Sequence, residues 1–347
     1  MTLGLKARRR GRGAVAAACL VLPLTLAACG DDDEGDGGDG EAGGEVTLQL
    51  AHSYTETQPQ HRCGAQVIAD EVAGAEVGVT VEIFPASQLG ADADRISSVV
   101  SGDIDIDIQG ASALGAVYEP VSVLDAAYAF DDSDHLARFF DGDASADLLQ
   151  GFEDETGVHT LGAWSAGMRQ FTANEPIREP GDLDGLRMRF PNSPQFLMNA
   201  EALGADATEV AYEELFLALQ QGTVDGQENP ITNISASSLQ DVQDYISMSS
   251  HQANSNLVII GADAWGGLSG EQQEALTAAV DAAEEQVPPC VAEDEESILA
   301  EWADAGTMEV VDDVDVDAFR TQADEYLREN FNADQLEIYE AIRGEAE

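Results

Sequence analysis

The sequence predicts an α/β protein with two lobes. From residue 46 onward, short apolar strands alternate with helices, first in a run that ends near residue 109 and again in a run that begins near residue 158. Alternation of this kind is typical of a largely parallel sheet that is covered by helices. The chain has 347 residues, which is long enough for two hydrophobic cores of ordinary domain size.

Periodicity places the elements of the first run. Alternating apolar residues predict strands, and apolar residues at helical spacing predict the helices between them. In chain order these are strand 46–51, helix 58–72, strand 79–83, helix 91–101 and strand 103–109. We expect this run to belong to a first lobe, residues 46–166, to which residues from about 255 to 290 return.

Three aspartates alternate with isoleucines in the strand predicted at 103–109. A calcium-binding loop would need glycine at its sixth position and glutamate at its twelfth, where this chain has Ile108 and Leu114. The alternation instead predicts that the isoleucines face the core and the aspartates face solvent. The aspartates concerned are Asp103, Asp105 and Asp107.

The second run predicts a second lobe, residues 167–254, on which residues 291–347 pack. In chain order the elements of the second run are strand 158–163, strand 185–190, helix 193–203, helix 212–221, a polar turn at 223–230, strand 245–248 and strand 257–261. The first and last of these strands fall in the ranges of the first lobe. We expect Gly222 to cap the second of these helices, since glycine readily adopts the left-handed conformation that ends a helix.

Two long helical stretches close the chain, at 269–305 and 315–343. The first contains Pro288 and Pro289. Proline lacks the N–H that an interior helical residue donates, so we expect these two residues to kink or break the helix.

Charge is very unevenly balanced. The chain has 15 Lys and Arg side chains against 67 Asp and Glu side chains, for a formal net charge of −52. This balance argues against nucleic acid as a partner, because phosphate contacts need cationic side chains. It is typical of proteins that work in high salt, where a Debye length of roughly 3 Å at 1 M screens the repulsion. An acidic exported protein in an ordinary medium is the alternative, and salt-dependent folding would distinguish the two.

The N-terminus predicts export and lipid attachment. A basic segment precedes an apolar run at 14–28, which is too short to span a bilayer. The run ends in Leu-Ala-Ala before Cys29, a pattern in which Cys29 receives lipid after residues 1–28 are removed; an ordinary signal peptide with a chance cysteine is the alternative. Residues 29–45 continue with glycine and acidic residues, so we expect an extended tether.

Two cysteines remain in the predicted mature chain besides Cys29. In an exported protein, Cys63 and Cys290 could form a disulfide or stay as two separate buried thiols. No pair of cysteines has the spacing of a metal site, and we expect neither a metal nor a cofactor.

Arginines cluster in one window of the chain. Arg169, Arg178, Arg187 and Arg189 lie within 21 residues that contain only four acidic side chains. Arginine binds carboxylates through two parallel hydrogen bonds and keeps its charge, so in so acidic a chain this window is where an anion site would be built. Surface ion pairs are the alternative, and the residue pattern alone leaves both open.

Five motifs resemble one family. They are Phe84–Gly90 (FPASQLG), Arg169–Thr172 (RQFT), Leu183–Pro191 (LDGLRMRFP), Leu219–Gly222 (LQQG) and Val224–Pro230 (VDGQENP). With these motifs in this order, the chain from about residue 46 to 332 resembles the solute-binding proteins of tripartite ATP-independent periplasmic (TRAP) transporters, of the C4-dicarboxylate-binding DctP type.

The resemblance implies a two-lobed fold like that of periplasmic binding proteins, with a ligand cleft between the lobes and long C-terminal helices. It also implies the roles of individual residues. Arg189 would pair with the ligand carboxylate, Arg169 would assist it, and Asn229 would complete the hydrogen bonds of the carboxylate. Further contacts would come from Tyr212, which lines the pocket, and from the first-lobe residues His52, Gln109 and Ser112. Arg187 would form a structural ion pair.

Members of the family usually have one long helix where this chain has its proline pair. A Cys63–Cys290 bond that compensates the kink is therefore our hypothesis.

Together these observations predict a monomeric solute-binding protein that is anchored outside the cytoplasm by lipid at Cys29. It would pass a C4-dicarboxylate or related carboxylate to TRAP membrane subunits, which a sodium or proton gradient would drive. An enzyme is not expected, because the histidines form no His-Glu-x-x-His and neither Gly-x-Ser-x-Gly nor a phosphate loop occurs. The alternative is an acidic structural or adhesive lipoprotein of the cell surface. An enzyme that hydrolyses carboxylate esters is a further alternative, and it would be recognised by turnover of an ester of the acid.

Overall fold

The computed structural model describes residues 44–345, whose strands form one nine-stranded sheet. The predicted signal peptide at 1–28, Cys29 and almost all of the tether at 29–45 lie outside the described residues. The strands are β1 (Val46–His52), β2 (Val79–Phe84), β3 (Ile106–Gln109), β4 (His159–Ala173), β5 (Arg187–Phe190), β6 (Asp206–Glu209), β7 (Gly226–Pro230), β8 (Tyr245–Ile260) and β9 (Glu309–Val311).

Twelve α-helices cover the sheet within the described range. They are α1 (Gln66–Gly74), α2 (Asp92–Ser101), α3 (Ala111–Leu114), α4 (Ser133–Phe140), α5 (Asp143–Thr156), α6 (Pro194–Leu203), α7 (Leu215–Gln220), α8 (Ile231–Ala236), α9 (Ala262–Gly267), α10 (Gly270–Ala305), α11 (Val316–Asn330) and α12 (Ala333–Gly344). A π-helical segment, Gln60–Ala65, leads into α1. None of the helices between residues 44 and 345 combines the length and the apolar character that a membrane crossing requires.

The sheet is parallel towards its two ends and antiparallel in the middle. Its order is β2-β1-β3-β8-β4-β7-β5-β6, with β9 beside β8. Strands β1, β2 and β3 pair in parallel, as do β5, β6 and β7. Strands β8 and β4 run antiparallel to each other, β8 also to β3 and β4 also to β7, whereas β9 pairs with β8 in parallel. The α/β class that the sequence predicts is therefore confirmed.

Two long strands join the two lobes. Strands β4 and β8 pair along their length, from His159 opposite Ile260 to Ala173 opposite Tyr245. Strand β3 pairs with the C-terminal end of β8, and β7 pairs with the C-terminal end of β4, so the two sets of parallel strands lie at opposite ends of this ribbon. The pairing register shifts between Ser165 and Met168 and again between Arg169 and Phe171. Register shifts of this kind bend a strand locally.

The prediction of separate strands at 245–248 and 257–261 is wrong, because β8 continues through the residues between them. Those residues are polar yet buried, among them Ser249, His251, Gln252 and Asn254. They break the apolar alternation that marks a strand in sequence. The turn expected at 223–230 likewise contains the buried strand β7.

Helix α10 runs alongside both lobes. Near its start, Leu276 and Val280 pack with Leu50 and Val258 in one hydrophobic cluster. Near its end, Trp302 packs with Ile246 in another.

The break expected at Pro288 and Pro289 is not found, since α10 is continuous through both. Buried Val287 and Val291 flank the pair, and packing there compensates for the hydrogen bonds that proline removes. The Sγ atoms of Cys290 and Cys63 are joined, which attaches α10 to the π-helical segment. The single helix expected at 315–343 is two helices, because the side chain of Asn332 caps α12.

The solvated aspartate face expected on β3 is wrong for Asp107. This side chain is fully buried, and its Oδ1 accepts a hydrogen bond of 3.0 Å from Nε of Arg95. Arg95, on the buried face of α2, supplies the compensating charge. Asp103 remains exposed, as expected.

Candidate ligand-binding site

A cavity of about 460 Å³ lies between the two lobes. Helix α2, the end of β3 and the start of α3 line one side, and strands β4, β5 and β7 line the other. Six of the seven ligand residues expected from the sequence line it, namely Gln109, Ser112, Arg169, Arg189, Tyr212 and Asn229. His52 is not among its lining residues.

Arg189 is a buried guanidinium that pairs with no carboxylate of residues 44–345. It lies on β5 between β6 and β7 and is 3% exposed. Its Nε donates to the carbonyl oxygen of Val210 at 2.9 Å, and within residues 44–345 neither Nη atom has a protein partner. Burial lowers the pKa of Arg189 to about 10. A buried cation in this state favours an anion in the cavity.

Arg169 is also buried, but its charge is already compensated. Its Nε and Nη2 donate to the two carboxylate oxygens of Glu228, the second at 2.7 Å. Nη2 lies 3.2 Å from Oδ1 of Asn229, and Nη1 donates to Oδ1 of Asn254 at 2.6 Å. Arginine has five N–H donors, so little more than one hydrogen on Nη1 remains for a ligand.

Glu228 and His251 form the buried support of Arg169. Nε2 of His251 lies 3.2 Å from Oε2 of Glu228, and its Nδ1 lies 2.8 Å from Oγ of Ser249. Burial holds the pKa of His251 below its ordinary value, which favours the neutral ring. Burial opposes the charge of Glu228, but Arg169 and His251 hold the pKa of Glu228 below its ordinary value.

Asn229 and Tyr212 present polar groups to the same space. Nδ2 of Asn229 donates to Oε1 of Gln227 at 2.5 Å, which leaves its second hydrogen for the cavity. The hydroxyl of Tyr212 accepts from Oγ of Ser237 at 2.8 Å, and burial raises its pKa.

His52 forms its hydrogen bonds with neighbouring residues of the protein and does not line the cavity. It is fully buried, its Nδ1 accepts from the backbone N–H of Tyr54 at 3.1 Å, and its Nε2 lies 3.2 Å from Nδ1 of His61. Burial lowers the pKa of His52 to about 3. Both ring nitrogens are thus engaged by the protein, away from the cavity.

Three carboxylates that the sequence analysis did not single out line the cavity, namely those of Asp92, Asp125 and Glu213. Asp125 is buried and accepts from the backbone N–H of Ser112 at 2.7 Å and from Oγ of Ser255 at 2.6 Å. Asp92 opens α2, and its Oδ1 accepts from Nη2 of Arg95 at 2.9 Å and from Oγ of Ser53 at 2.7 Å. In a chain with 67 acidic residues, one more aspartate gives no signal in sequence.

No cluster of three or more His, Cys, Asp or Glu side chains suited to a metal ion occurs in the described part of the chain.

Comparison with known sequences places the chain among transport proteins. The sequence model of one family, described as bacterial extracellular solute-binding protein, family 7 (DctP), matches residues 50–334. A solute-binding protein of Roseobacter denitrificans is 32% identical over 243 residues, which are 70% of this chain and 74% of that protein. The 2,3-diketo-L-gulonate-binding periplasmic protein of Escherichia coli is 30% identical over 290 residues, 83% of this chain and 88% of that protein.

Solved structures agree with the sequence comparison. The TRAP periplasmic solute-binding protein of Polaromonas, bound to D-erythronate, has a TM-score of 0.81 and 28% identity, with 86% of this chain and 98% of that one covered. A Roseobacter denitrificans relative, bound to L-galactonate, has a TM-score of 0.80 and 29% identity, with 87% and 99% covered. The chain shares their two-lobed fold.

Proposed function

The chain belongs to family 7 of the bacterial extracellular solute-binding proteins, and from this premise we propose that it captures a small organic acid and delivers it to the membrane subunits of a TRAP transporter. On this proposal, the cavity between the lobes is the ligand site. Arg189 binds the carboxylate of the ligand through two hydrogen bonds, and Asn229 and Arg169 supply further N–H donors.

The state of Arg189 is the observation that supports the proposal most. Among the described residues, its two Nη atoms have no protein partner although the side chain is buried. A charged group that is removed from water is costly unless an opposite charge pairs with it. A bound carboxylate would supply that charge and would accept both hydrogen bonds in the planar geometry that guanidinium favours.

Affinity requires nearly complete burial of the ligand. Micromolar binding needs about −8 kcal/mol, so an acid with about eight heavy atoms must gain roughly −1 kcal/mol from each, close to the limit for small ligands.

Two contacts across the cleft are compatible with lobes that close over the ligand. Gln58 donates to Asn233 at 2.8 Å, and Ser87 donates to Glu213 at 3.1 Å. We place the hinge at the register shifts of β4 and β8.

The protein works outside the cytoplasm on this proposal, as its family does, and lipid on Cys29 holds it at the membrane. It acts as a monomer, and it performs no catalysis. An adhesive lipoprotein of the cell surface, the alternative function, would bind no small ligand.

A thermal-shift screen of organic acids in molar salt tests the proposed function. We expect one class of acid to raise the unfolding temperature, and we expect Arg189→Ala to remove about 2–5 kcal/mol of its binding free energy, because a buried charge loses its partner. Arg187→Ala is the matched control. Arg187 is exposed and paired with Asp225 at 2.6 Å, so its loss should leave binding unchanged.

The screen separates the alternatives. A shift that Arg189→Ala fully retains would contradict the role of Arg189. The absence of a shift with every acid would favour the adhesive function.

A further inference from the structure

Building on the proposed function, we propose that the cavity selects a hydroxylated monocarboxylate and rejects the dicarboxylate of the same length. The charges and the neutral polar groups that line the cavity carry this inference.

The cavity offers one cation for one carboxylate. Arg169 and Arg189 are the cationic side chains that line it in the described part of the chain, and Glu228 already pairs with Arg169 through both oxygens. The acidic side chains that line it are Asp92, Asp125 and Glu213. A second carboxylate on the ligand would therefore find no free cation among the described residues that line the cavity.

The buried arginine and carboxylate side chains also leave room for only one ligand carboxylate. Across residues 44–345, the buried arginines and carboxylates number three each, namely Arg95, Arg169, Arg189, Asp107, Asp125 and Glu228. Arg95 pairs with Asp107 at 3.0 Å, and Arg169 pairs with Glu228. Arg189 and Asp125 are left without an ion-pair partner in this described set. A carboxylate on Arg189 completes one further pair, whereas a second carboxylate would bring an unpaired negative charge into a space that Asp125 and Asp92 line.

Neutral polar groups fit the rest of the ligand. The hydroxyl of Tyr54 and the side-chain amide of Asn256 bond to each other at 2.9 Å or less, and both line the cavity with Gln109 and Asn254. Amides and hydroxyls donate as well as accept, as ligand hydroxyls do. Oδ2 of Asp92 accepts no hydrogen bond from the described residues, since both of its partners bond to Oδ1. An ionised carboxylate accepts from a hydroxyl and repels a carboxylate.

Matched pairs of acids test this selectivity by titration calorimetry on the full chain in high salt. Each pair shares its carbon skeleton and configuration and differs only in whether the far end is a hydroxymethyl or a second carboxylate. The pairs are threonate and tartrate, gluconate and glucarate, and galactonate and galactarate. We expect a monocarboxylate to bind at least about tenfold more tightly than its diacid, and the neutral polyols of the same length not to bind.

Substitution of Asp92 tests the residue basis of the selectivity. Asp92→Asn keeps an oxygen for Arg95 and Ser53 but removes a charge from the cavity. The ratio of the dissociation constants of the diacid and its monocarboxylate should therefore fall at least about threefold. Asp94→Asn is the matched control, since Asp94 lies on the same turn of α2 but is exposed and does not line the cavity. Asp94→Asn should leave this ratio of dissociation constants unchanged.

Three results would overturn the inference. One is a diacid that binds as tightly as its monocarboxylate. Another is a ratio of dissociation constants that Asp92→Asn does not change. The third is that no acid binds at all, which would remove the proposed function as well. Binding by diacids alone would leave the proposed function standing and remove only the selectivity.

Discussion

The two buried arginines of the cavity differ in what compensates their charge. Arg169 has a protein carboxylate, Glu228, on two of its nitrogens, and its guanidinium also lies 4.8 Å from the ring centre of Phe196. Among the described residues, Arg189 donates a hydrogen bond only to the backbone carbonyl of Val210. Loss of Arg169 should therefore affect folding, whereas loss of Arg189 should affect binding.

We expect Arg169→Met to lower the free energy of unfolding by about 3–5 kcal/mol, because it leaves Glu228 buried and unpaired. A second change, Glu228→Gln, removes the stranded charge and should restore most of the stability. Urea denaturation of both variants measures the effect. A double variant as unstable as the single one would contradict the charge explanation.

At the residue scale, motifs found some cavity residues and missed others. Arg189 and Asn229 belong to motifs with a recognisable order, and both line the cavity. Asp92 and Asp125 do not stand out among 67 acidic residues. His52 is engaged by Tyr54 and His61, contacts that only the fold reveals.

At the element scale, helix α10 places two glutamates against strand β4. Glu284 lies over Gly162, with its Oε1 accepting from the backbone N–H of Ala163, and Glu295 lies over Gly167. A side chain at either glycine would collide with the carboxyl group above it. Burial raises the pKa of both glutamates to about 7.

The raised pKa of Glu295 gives a pH-dependent stability. The folded state favours the protonated form, so this stability is fully present below the unfolded pKa of about 4.3 and is lost as pH rises through about 7. Glu295→Gln keeps the side chain neutral. After allowance for its partial exposure, we expect a gain of about 1 kcal/mol at about pH 8 and none at about pH 4.

Thermal unfolding across this pH range measures the gain, with Glu296→Gln as the control because Glu296 is exposed. Equal effects of the two substitutions at the upper pH would contradict the burial of Glu295.

The sequence predicted most elements of the first run but not the length of β4 and β8. Val46–His52, Val79–Phe84 and Asp92–Ser101 follow the predicted ranges closely, because each presents one apolar face to a core. The middle of β8 carries buried polar residues instead, of which Asn254 and Asn256 line the cavity, and no local pattern distinguishes such a strand from a loop. Continuity of α10 through its prolines depends on tertiary packing, which periodicity does not report.

At the scale of the whole molecule, repulsion among carboxylates opposes the folded state. The net charge is −52, and helix α10 has no cationic side chain along its 36 residues. Such repulsion acts mainly between exposed groups, so dissolved ions should weaken it.

We expect the thermal midpoint to rise by at least about 5 °C between about 0.1 M and about 2 M NaCl, which corresponds to roughly 3 kcal/mol for a chain of this size. Differential scanning calorimetry measures it, and the rise should shrink at about pH 4, where many carboxylates are protonated. A midpoint insensitive to salt at neutral pH would favour an acidic protein of ordinary media.

The disulfide next to the proline pair has a mechanical consequence. Pro288 and Pro289 cannot donate to the carbonyls of Glu284 and Glu285, so α10 bends here at lower cost than elsewhere. Cys290 follows at once and fixes this flexible point to the first lobe through Cys63. On the proposed closure, α10 therefore turns about a fixed pivot, and its C-terminal arm, which ends near Trp302, moves with the second lobe. Whether Cys63 and Cys290 are joined or reduced would then determine how the lobes close as well as how stable the fold is.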